Sequence, residues 1–186
     1  NWVLMDLFGN PPSIREENIV GGPNPSQIQR ADLFMYIEEE LLDVATKLPA
    51  PRTNEYGRAD QAAAWALLAR LYLNAKVYSG VERNTDAAIY AKKVIDAVYI
   101  LLPNYRHLML ADNHLDNTEF ILTINYDRIK TQNYGGTTFL MNGAIGGDMV
   151  STNYGTTDAW SGHRTTKGLV NKFSDPSGAT DKRAQF

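Results

Sequence analysis

Hydrophobic positions at helical spacing dominate the first half of the chain. Between Ser26 and Leu48, apolar side chains recur every three or four residues and form one stripe along a predicted helix. The stripe consists of Phe34, Ile37, Leu41, Val44 and Leu48. Ser26 and Gln29 fit a capping box at the start of this helix, and Pro49 ends it.

Two further helices follow, and a shorter one precedes. The segment Ala59–Tyr78 is rich in alanine and leucine, which predicts a helix that packs closely against neighbours on more than one side. The segment Thr85–Val98 predicts another helix, with Thr85 as its cap. Residues Trp2–Phe8 have the character of the last turns of an apolar helix, which Gly9 and the prolines after it would end. This succession of helix, short turn and helix is typical of tetratricopeptide arrays.

The pattern changes after residue 103. Apolar and polar residues alternate in Glu119–Tyr126, which predicts a β-strand. The next segment, Tyr126–Ser161, is rich in Gly, Asn, Thr and Tyr without a clear period, and such long irregular segments are often functional. A short capped helix is predicted over Thr165–Phe173.

Together these elements predict a mostly α protein, with tetratricopeptide-like helical hairpins, an irregular loop-rich region and one or two short strands. Residues 1–110 would form the helical scaffold and residues 111–186 the strand and loop-rich, ligand-binding portion of the same domain. The chain opens on an apolar helix, and three helices are few for a stacked array to bury its faces. We therefore expect an incomplete part of a larger protein.

Composition narrows the possible chemistry. The 186 residues carry a net charge of −3 and no basic stripe, which argues against nucleic-acid binding. The absence of cysteine excludes disulfides, thiolate metal sites and a cysteine nucleophile. The three histidines, His107, His114 and His163, lack metal-binding spacing, and Asp112–Glu119 lacks the glycine and the distant glutamate of a calcium loop. We expect no metal and no cofactor.

An ordered set of short motifs provides a more specific signal. It comprises Tyr56-Gly57-Arg58, Ala69-Arg70-Leu71-Tyr72-Leu73-Asn74-Ala75-Lys76, Ala91-Lys92-Lys93-Val94-Ile95, Thr118-Glu119-Phe120-Ile121 and Trp160-Ser161-Gly162-His163-Arg164-Thr165-Thr166. This set resembles the SusD/RagB family of outer-membrane nutrient-binding lipoproteins, in the family's order and over nearly the whole chain. The resemblance implies a non-catalytic, surface-exposed lipoprotein that takes part in polysaccharide utilisation. Such a protein binds oligosaccharide or polysaccharide and delivers it to a SusC-like TonB-dependent transporter. The family's lipidated cysteine does not occur in this sequence, so anchoring is implied by resemblance alone.

The loop-rich region has the composition that sugar binding requires. Aromatic rings offer flat apolar faces to a sugar ring, and amide or guanidinium groups reach its hydroxyls. The candidate ligand-binding residues are Trp160, Tyr154, Tyr134, Asn153, Asp158 and Arg164. Trp160 has an alternative role as a packed partner of a neighbouring arginine. Trp2 and Trp65 lie on apolar helix faces and are expected in the core.

Two other functions remain open at this level. A glycoside hydrolase needs two carboxylates about 5–10 Å apart across the bound sugar, and Asp148 and Asp158 are the available pair in the loop region. A helical-repeat scaffold would instead bind a protein or peptide in its groove. The resemblance favours the non-catalytic glycan-binding protein over both.

Overall fold

The computed structural model describes residues 1–126, 130–131, 133–173, 175 and 177–184. Within these residues the chain forms seven α-helices: α1 (Trp2–Phe8), α2 (Arg30–Lys47), α3 (Gln61–Leu73), α4 (Ala75–Ser79), α5 (Asn84–Asp96), α6 (Gly136–Ala144) and α7 (Lys167–Val170). Three short 3₁₀ turns occupy Tyr105–Met109, Ser151–Tyr154 and Lys182–Ala184. The prediction of a mostly α protein is confirmed.

The chain divides into two compact units, the helical unit (Asn1–Ile124) and the C-terminal unit (Asn125–Phe186). The helical unit contains α1 to α5, and the C-terminal unit contains α6 and α7. The predicted division at residue 110 into two portions of one domain stays a prediction.

The core of the helical unit lies around α3, which packs against both α2 and α5. Its buried side chains are Met5, Leu33, Phe34, Ile37, Leu68, Leu71, Tyr72, Ala75, Tyr78 and Ala87. The alanines near the start of α3, Ala62 to Ala64, are also buried, so the close packing predicted for this alanine-rich helix is confirmed. Trp2 is half-buried against the same core, where its indole N–H donates to Tyr78 Oη at 3.0 Å.

The start of α2 differs from the prediction. The helix begins at Arg30, and the capping box at Ser26 is wrong. Ser26 instead pairs through its backbone carbonyl with the N–H of Ser13, at 3.1 Å. The first N–H of the helix, on Arg30, donates to the side-chain oxygen of Asn10 at 2.8 Å. The cap therefore comes from 20 residues upstream, beyond the reach of a local sequence pattern.

The long helix predicted over Ala59–Tyr78 divides at Asn74. This residue leaves helical geometry (φ −100°, ψ 6°), and its side-chain amide donates to the carbonyl of Arg70 at 2.9 Å. Asparagine side chains compete with the helix for backbone partners in this way. The next predicted helix is confirmed as α5, but Thr85 does not cap it, because α5 already begins at Asn84.

The predicted strand over Glu119–Tyr126 is wrong, because these residues form no strand within the part of the chain that the structure describes. Isolated hydrogen bonds, two of them from side chains, occur here in place of a ladder of backbone bonds. The Thr118 hydroxyl donates to the carbonyl of Ile100 at 2.9 Å, and the Glu119 carboxylate accepts from the N–H of Leu102 at 2.8 Å. A lone strand needs a partner strand to be stable, and here Thr118 and Glu119 form only isolated bonds to Ile100 and Leu102, including one from the N–H of Ile100 to the carbonyl of Thr118 at 3.0 Å.

Asp60 is a buried polar hub in the helical unit, with 4% of its surface exposed. Its carboxylate accepts from the N–H of Ala63 (3.2 Å), the N–H of Arg52 (2.7 Å) and the hydroxyl of Tyr99 (2.7 Å). Burial raises the pKa of Tyr99, and its hydrogen bond to the carboxylate raises it further. Asp60 therefore both caps α3 and ties the start of that helix to the chain before α3 and after α5.

Candidate functional site

The candidate site in the C-terminal unit is built on the end of α6. The backbone N–H groups of the segment Trp160–His163 donate to carbonyls at the end of this helix, from Trp160 to Asn142 (2.8 Å) and from Ser161 to the capping residue Ile145 (2.9 Å). The N–H groups of the next two residues both reach the carbonyl of Gly143, at 2.9 and 2.7 Å. The last carbonyls of a helix lack partners within the helix. All four N–H groups of the segment Trp160–His163 therefore help to cap the C-terminal end of α6.

Two glycines make this close approach possible. A Cβ added to Gly143 would lie 2.6 Å from Nε2 of His163, and one added to Gly146 would overlap the hydroxyl of Ser161. The His163 ring also meets the Phe139 ring edge-on, with centroids 4.6 Å apart, and its Nε2 lies 3.1 Å from the Phe139 carbonyl. The path of the segment is therefore fixed by main-chain bonds and by the absence of side chains at two positions.

This frame positions an aromatic pair. The rings of Tyr134 and Trp160 lie with centroids 6.3 Å apart, tilted by 43°. Tyr134 is 85% exposed, and Trp160 is half-buried. Two of the residues predicted from sequence thus lie side by side and form an exposed aromatic surface, the Tyr134–Trp160 platform. The ring partner that the structure gives Trp160 is a tyrosine rather than an arginine.

The other predicted residues are also accessible in the C-terminal unit. Tyr154 is 46% exposed and ends a 3₁₀ turn, which Gly155 closes with a left-handed backbone (φ 72°). Asn153, Asp158 and Arg164 are exposed. A shared role of these four residues with the Tyr134–Trp160 platform stays a prediction.

The sequence interpretation missed α6 and the role of His163. The helix begins at one glycine and two threonines, directly after a capping glycine, and these residues have low helix propensity, so its region has no strong period. The repeated glycines at Gly143 and Gly146 are the available signal, because glycine in such places often marks a close backbone approach.

Substitution of Gly143 tests this frame. We expect Gly143→Ala to push the His163 ring away, to lower the free energy of unfolding by about 1–3 kcal/mol through overpacking, and to expose the N–H groups of Trp160 and His163. Hydrogen exchange at these amides is the measurement. Gly162→Ala is the matched control, because its added Cβ would meet the nearest atom at 3.9 Å. Equal protection of the amides in the two variants would contradict the proposed frame.

The described residues contain no group of three or more His, Cys, Asp and Glu side chains that could hold a metal ion. None of the helices in this part of the chain combines the length and apolar character needed to cross a membrane.

The fold resembles that of a protein of known structure. The structure is similar to the crystal structure of a SusD-like protein from Bacteroides fragilis NCTC 9343, with a TM-score of 0.55 and 23% sequence identity. The similarity covers 67% of this chain and 24% of that one. This chain has a SusD-like, mostly helical fold.

Sequence comparison agrees. The chain is 40% identical over 175 residues to the starch-binding protein SusD of Bacteroides thetaiotaomicron. The matched residues make up 92% of this chain. The chain spans only 31% of the length of that relative. No family model matches the sequence. Over these 175 residues the chain is similar to a SusD-like protein.

Proposed function

We propose that this chain is part of a non-catalytic protein that binds oligosaccharide or polysaccharide on the Tyr134–Trp160 platform. The adjoining rings of these two residues, with Tyr134 exposed and Trp160 half-buried, are the observation that carries the proposal. Aromatic side chains bury large apolar areas in defined geometry, and the C–H face of a sugar ring is a suitable partner for such a surface.

Exposed polar groups of the same unit would select the hydroxyl pattern. Asn153, Asp158 and Arg164 are exposed in the same unit, and Tyr154 offers a further ring. An amide or a guanidinium can hydrogen-bond two neighbouring hydroxyls at once. These four residues therefore complete the proposed binding surface.

An α-glucan is the first ligand to test, because the relative from Bacteroides thetaiotaomicron is named as starch-binding. The same likeness supports the proposal that the whole protein is an outer-membrane, surface-exposed lipoprotein. There it would pass glycan to a SusC-like TonB-dependent transporter.

The Trp160→Ala variant tests the platform directly. We expect its affinity for maltoheptaose, measured by isothermal titration calorimetry, to be at least tenfold lower, which corresponds to about 1.4 kcal/mol. Trp160→Phe should retain part of the affinity, because a smaller aromatic face remains. Tyr105→Ala is the control, since Tyr105 is 70% exposed but lies in the helical unit. Unchanged affinity in a folded Trp160→Ala variant would remove this ring from the site.

Incubation of the protein with maltoheptaose distinguishes binding from hydrolysis. Asp148 and Asp158 are both exposed side chains of the C-terminal unit. We expect maltoheptaose to be recovered intact by chromatography. Cleavage products that disappear in Asp148→Asn or Asp158→Asn would overturn the non-catalytic proposal.

A further inference from the structure

The helical unit contains a cavity of about 200 Å³ that the proposed function does not use. It lies near the start of α3, and its walls come from the loop before that helix, from Tyr99 and from the segment after residue 116. Residues that line it include Arg52, Tyr56, Arg58, Tyr99, Asn117 and Phe120. Its volume suits one small molecule rather than a chain of sugar units, because pockets for drug-sized ligands measure about 300–1,000 Å³.

The polar side chains in the walls of this cavity are mostly committed to the fold. The Asn54 amide accepts from the N–H of Glu55 and donates to the carbonyl of Ala59. The Asn117 oxygen accepts from two backbone N–H groups, and its nitrogen donates to Asn113. Asp60 is saturated in the same way by three donors. These walls are preformed, which lowers the ordering cost of binding.

Arg52 is a group in the cavity wall with hydrogen-bond donors left for a ligand. Its guanidinium donates to the carbonyl of Val98 at 3.0 Å and lies 5.6 Å from the Tyr99 ring centroid. In the part of the chain that the structure describes, this exposed guanidinium takes part in no salt bridge. Four of its five N–H donors remain after the bond to Val98, and a carboxylate is the partner that a guanidinium binds most strongly.

Backbone strain is concentrated at the same place. Arg52 and Val98 both adopt left-handed backbone angles, with φ of 63° in each, and the guanidinium bond connects them. Such angles are uncommon for residues other than glycine and more so for a β-branched one. Strained residues of this kind persist where the surrounding structure fixes them, often beside ligand sites.

Residues at the edge of the cavity offer aromatic rings for an apolar face of a ligand and polar groups for ligand hydroxyls. Tyr56 is 55% exposed, and Phe120 is half-buried beside the cavity. Arg58 and Glu55 form an exposed ion pair at 2.8 Å on the same rim, which offers both donors and acceptors. A ligand with one apolar face, several hydroxyls and one negative group matches this set.

We propose that this cavity binds a single carboxylate-bearing sugar unit, a hexuronate. Its carboxylate pairs with the Arg52 guanidinium, and its ring lies against Tyr56. The residues that line the cavity belong to the helical unit, whereas the Tyr134–Trp160 platform belongs to the C-terminal unit. The protein would thus recognise an acidic sugar in the helical unit.

Titration of the isotopically labelled chain with D-glucuronate tests the proposal by backbone amide NMR. We expect saturable shifts at the amides of Arg52, Asn117 and Phe120, with a dissociation constant in the millimolar range, about −4 kcal/mol. D-glucose should bind at least tenfold more weakly, because it lacks the carboxylate. Acetate should also bind at least tenfold more weakly, because it lacks the ring.

Two variants locate the binding chemistry. Arg52→Gly removes the guanidinium at a position where glycine tolerates the left-handed backbone, and we expect at least tenfold weaker binding of glucuronate. Tyr56→Ala removes an exposed ring at little risk to the fold and should weaken binding several-fold. Arg15→Gly is the matched control, because Arg15 also lies over a tyrosine ring, that of Tyr36 at 4.4 Å.

Four outcomes would overturn the proposal. They are unshifted cavity amides with glucuronate, equal binding of glucose, equal binding of acetate, and unchanged affinity in both Arg52→Gly and Tyr56→Ala. Binding of maltoheptaose at the Tyr134–Trp160 platform reports separately on the proposed function, because that platform belongs to the C-terminal unit.

Discussion

Replacement of Asp60 by alanine is expected to lower the free energy of unfolding by about 3 kcal/mol, because a lost hydrogen bond is worth about 1 kcal/mol and a fully buried donor left without an acceptor costs about 1–3 kcal/mol. Three donors lose their partner at once: the N–H of Ala63, the N–H of Arg52 and the hydroxyl of Tyr99. The loss includes the cap of α3, which alone is typically worth about 1 kcal/mol. Equilibrium unfolding in urea, followed by helical circular dichroism, measures the change.

Two control variants separate these contributions to the stability. Asp60→Asn keeps one acceptor oxygen and should cost clearly less than the alanine change. Asp43→Ala removes an exposed carboxylate that pairs with Lys47, and such a pair is worth about 0.5 kcal/mol. If Asp60→Ala and Asp43→Ala cost the same, the carboxylate of Asp60 is not the hub that the structure indicates.

Leu68→Ala should destabilise the helical unit by about 2–5 kcal/mol, through lost burial and the cavity left behind. Leu68 has no exposed surface, and it lies on α3 between α2 and α5. The measurement is again the free energy of unfolding in urea.

Leu73→Ala provides the comparison on the same helix. Leu73 is 66% exposed, and surface substitutions usually change the stability by less than about 0.5 kcal/mol. The difference between the two variants therefore reports burial alone, since residue type and helix are shared. A large loss of stability in Leu73→Ala would mean that this side chain is covered in solution.

The helical scaffold was readable from the sequence because its signals are local. The apolar stripe of α2 and the alanine content of α3 are periodic patterns within one helix. The start of α2 was not readable, because its cap comes from Asn10, 20 residues away. The strand predicted over Glu119–Tyr126 failed for a related reason: alternation reports which side chains face one way and says nothing about a partner strand.

The candidate site was readable in residue type but not in arrangement. Composition indicated Tyr134 and Trp160 as aromatic candidates in a polar region. Their pairing at 6.3 Å depends on the course of α6 and of the segment that caps it. The course of α6 and that of the capping segment leave no periodic signal in the sequence. Gly143, for example, contacts His163, which lies 20 positions further along.

The attachment of Trp160–His163 to α6 through main-chain atoms has an evolutionary consequence. A segment fixed by its own N–H groups can change the side chain at position 160 without losing its course. Selection could then exchange an indole for another ring, or for a polar group, and so alter the ligand preference of the proposed platform while the helix beneath stays the same. The glycines at 143 and 146 would be the positions that such divergence leaves untouched.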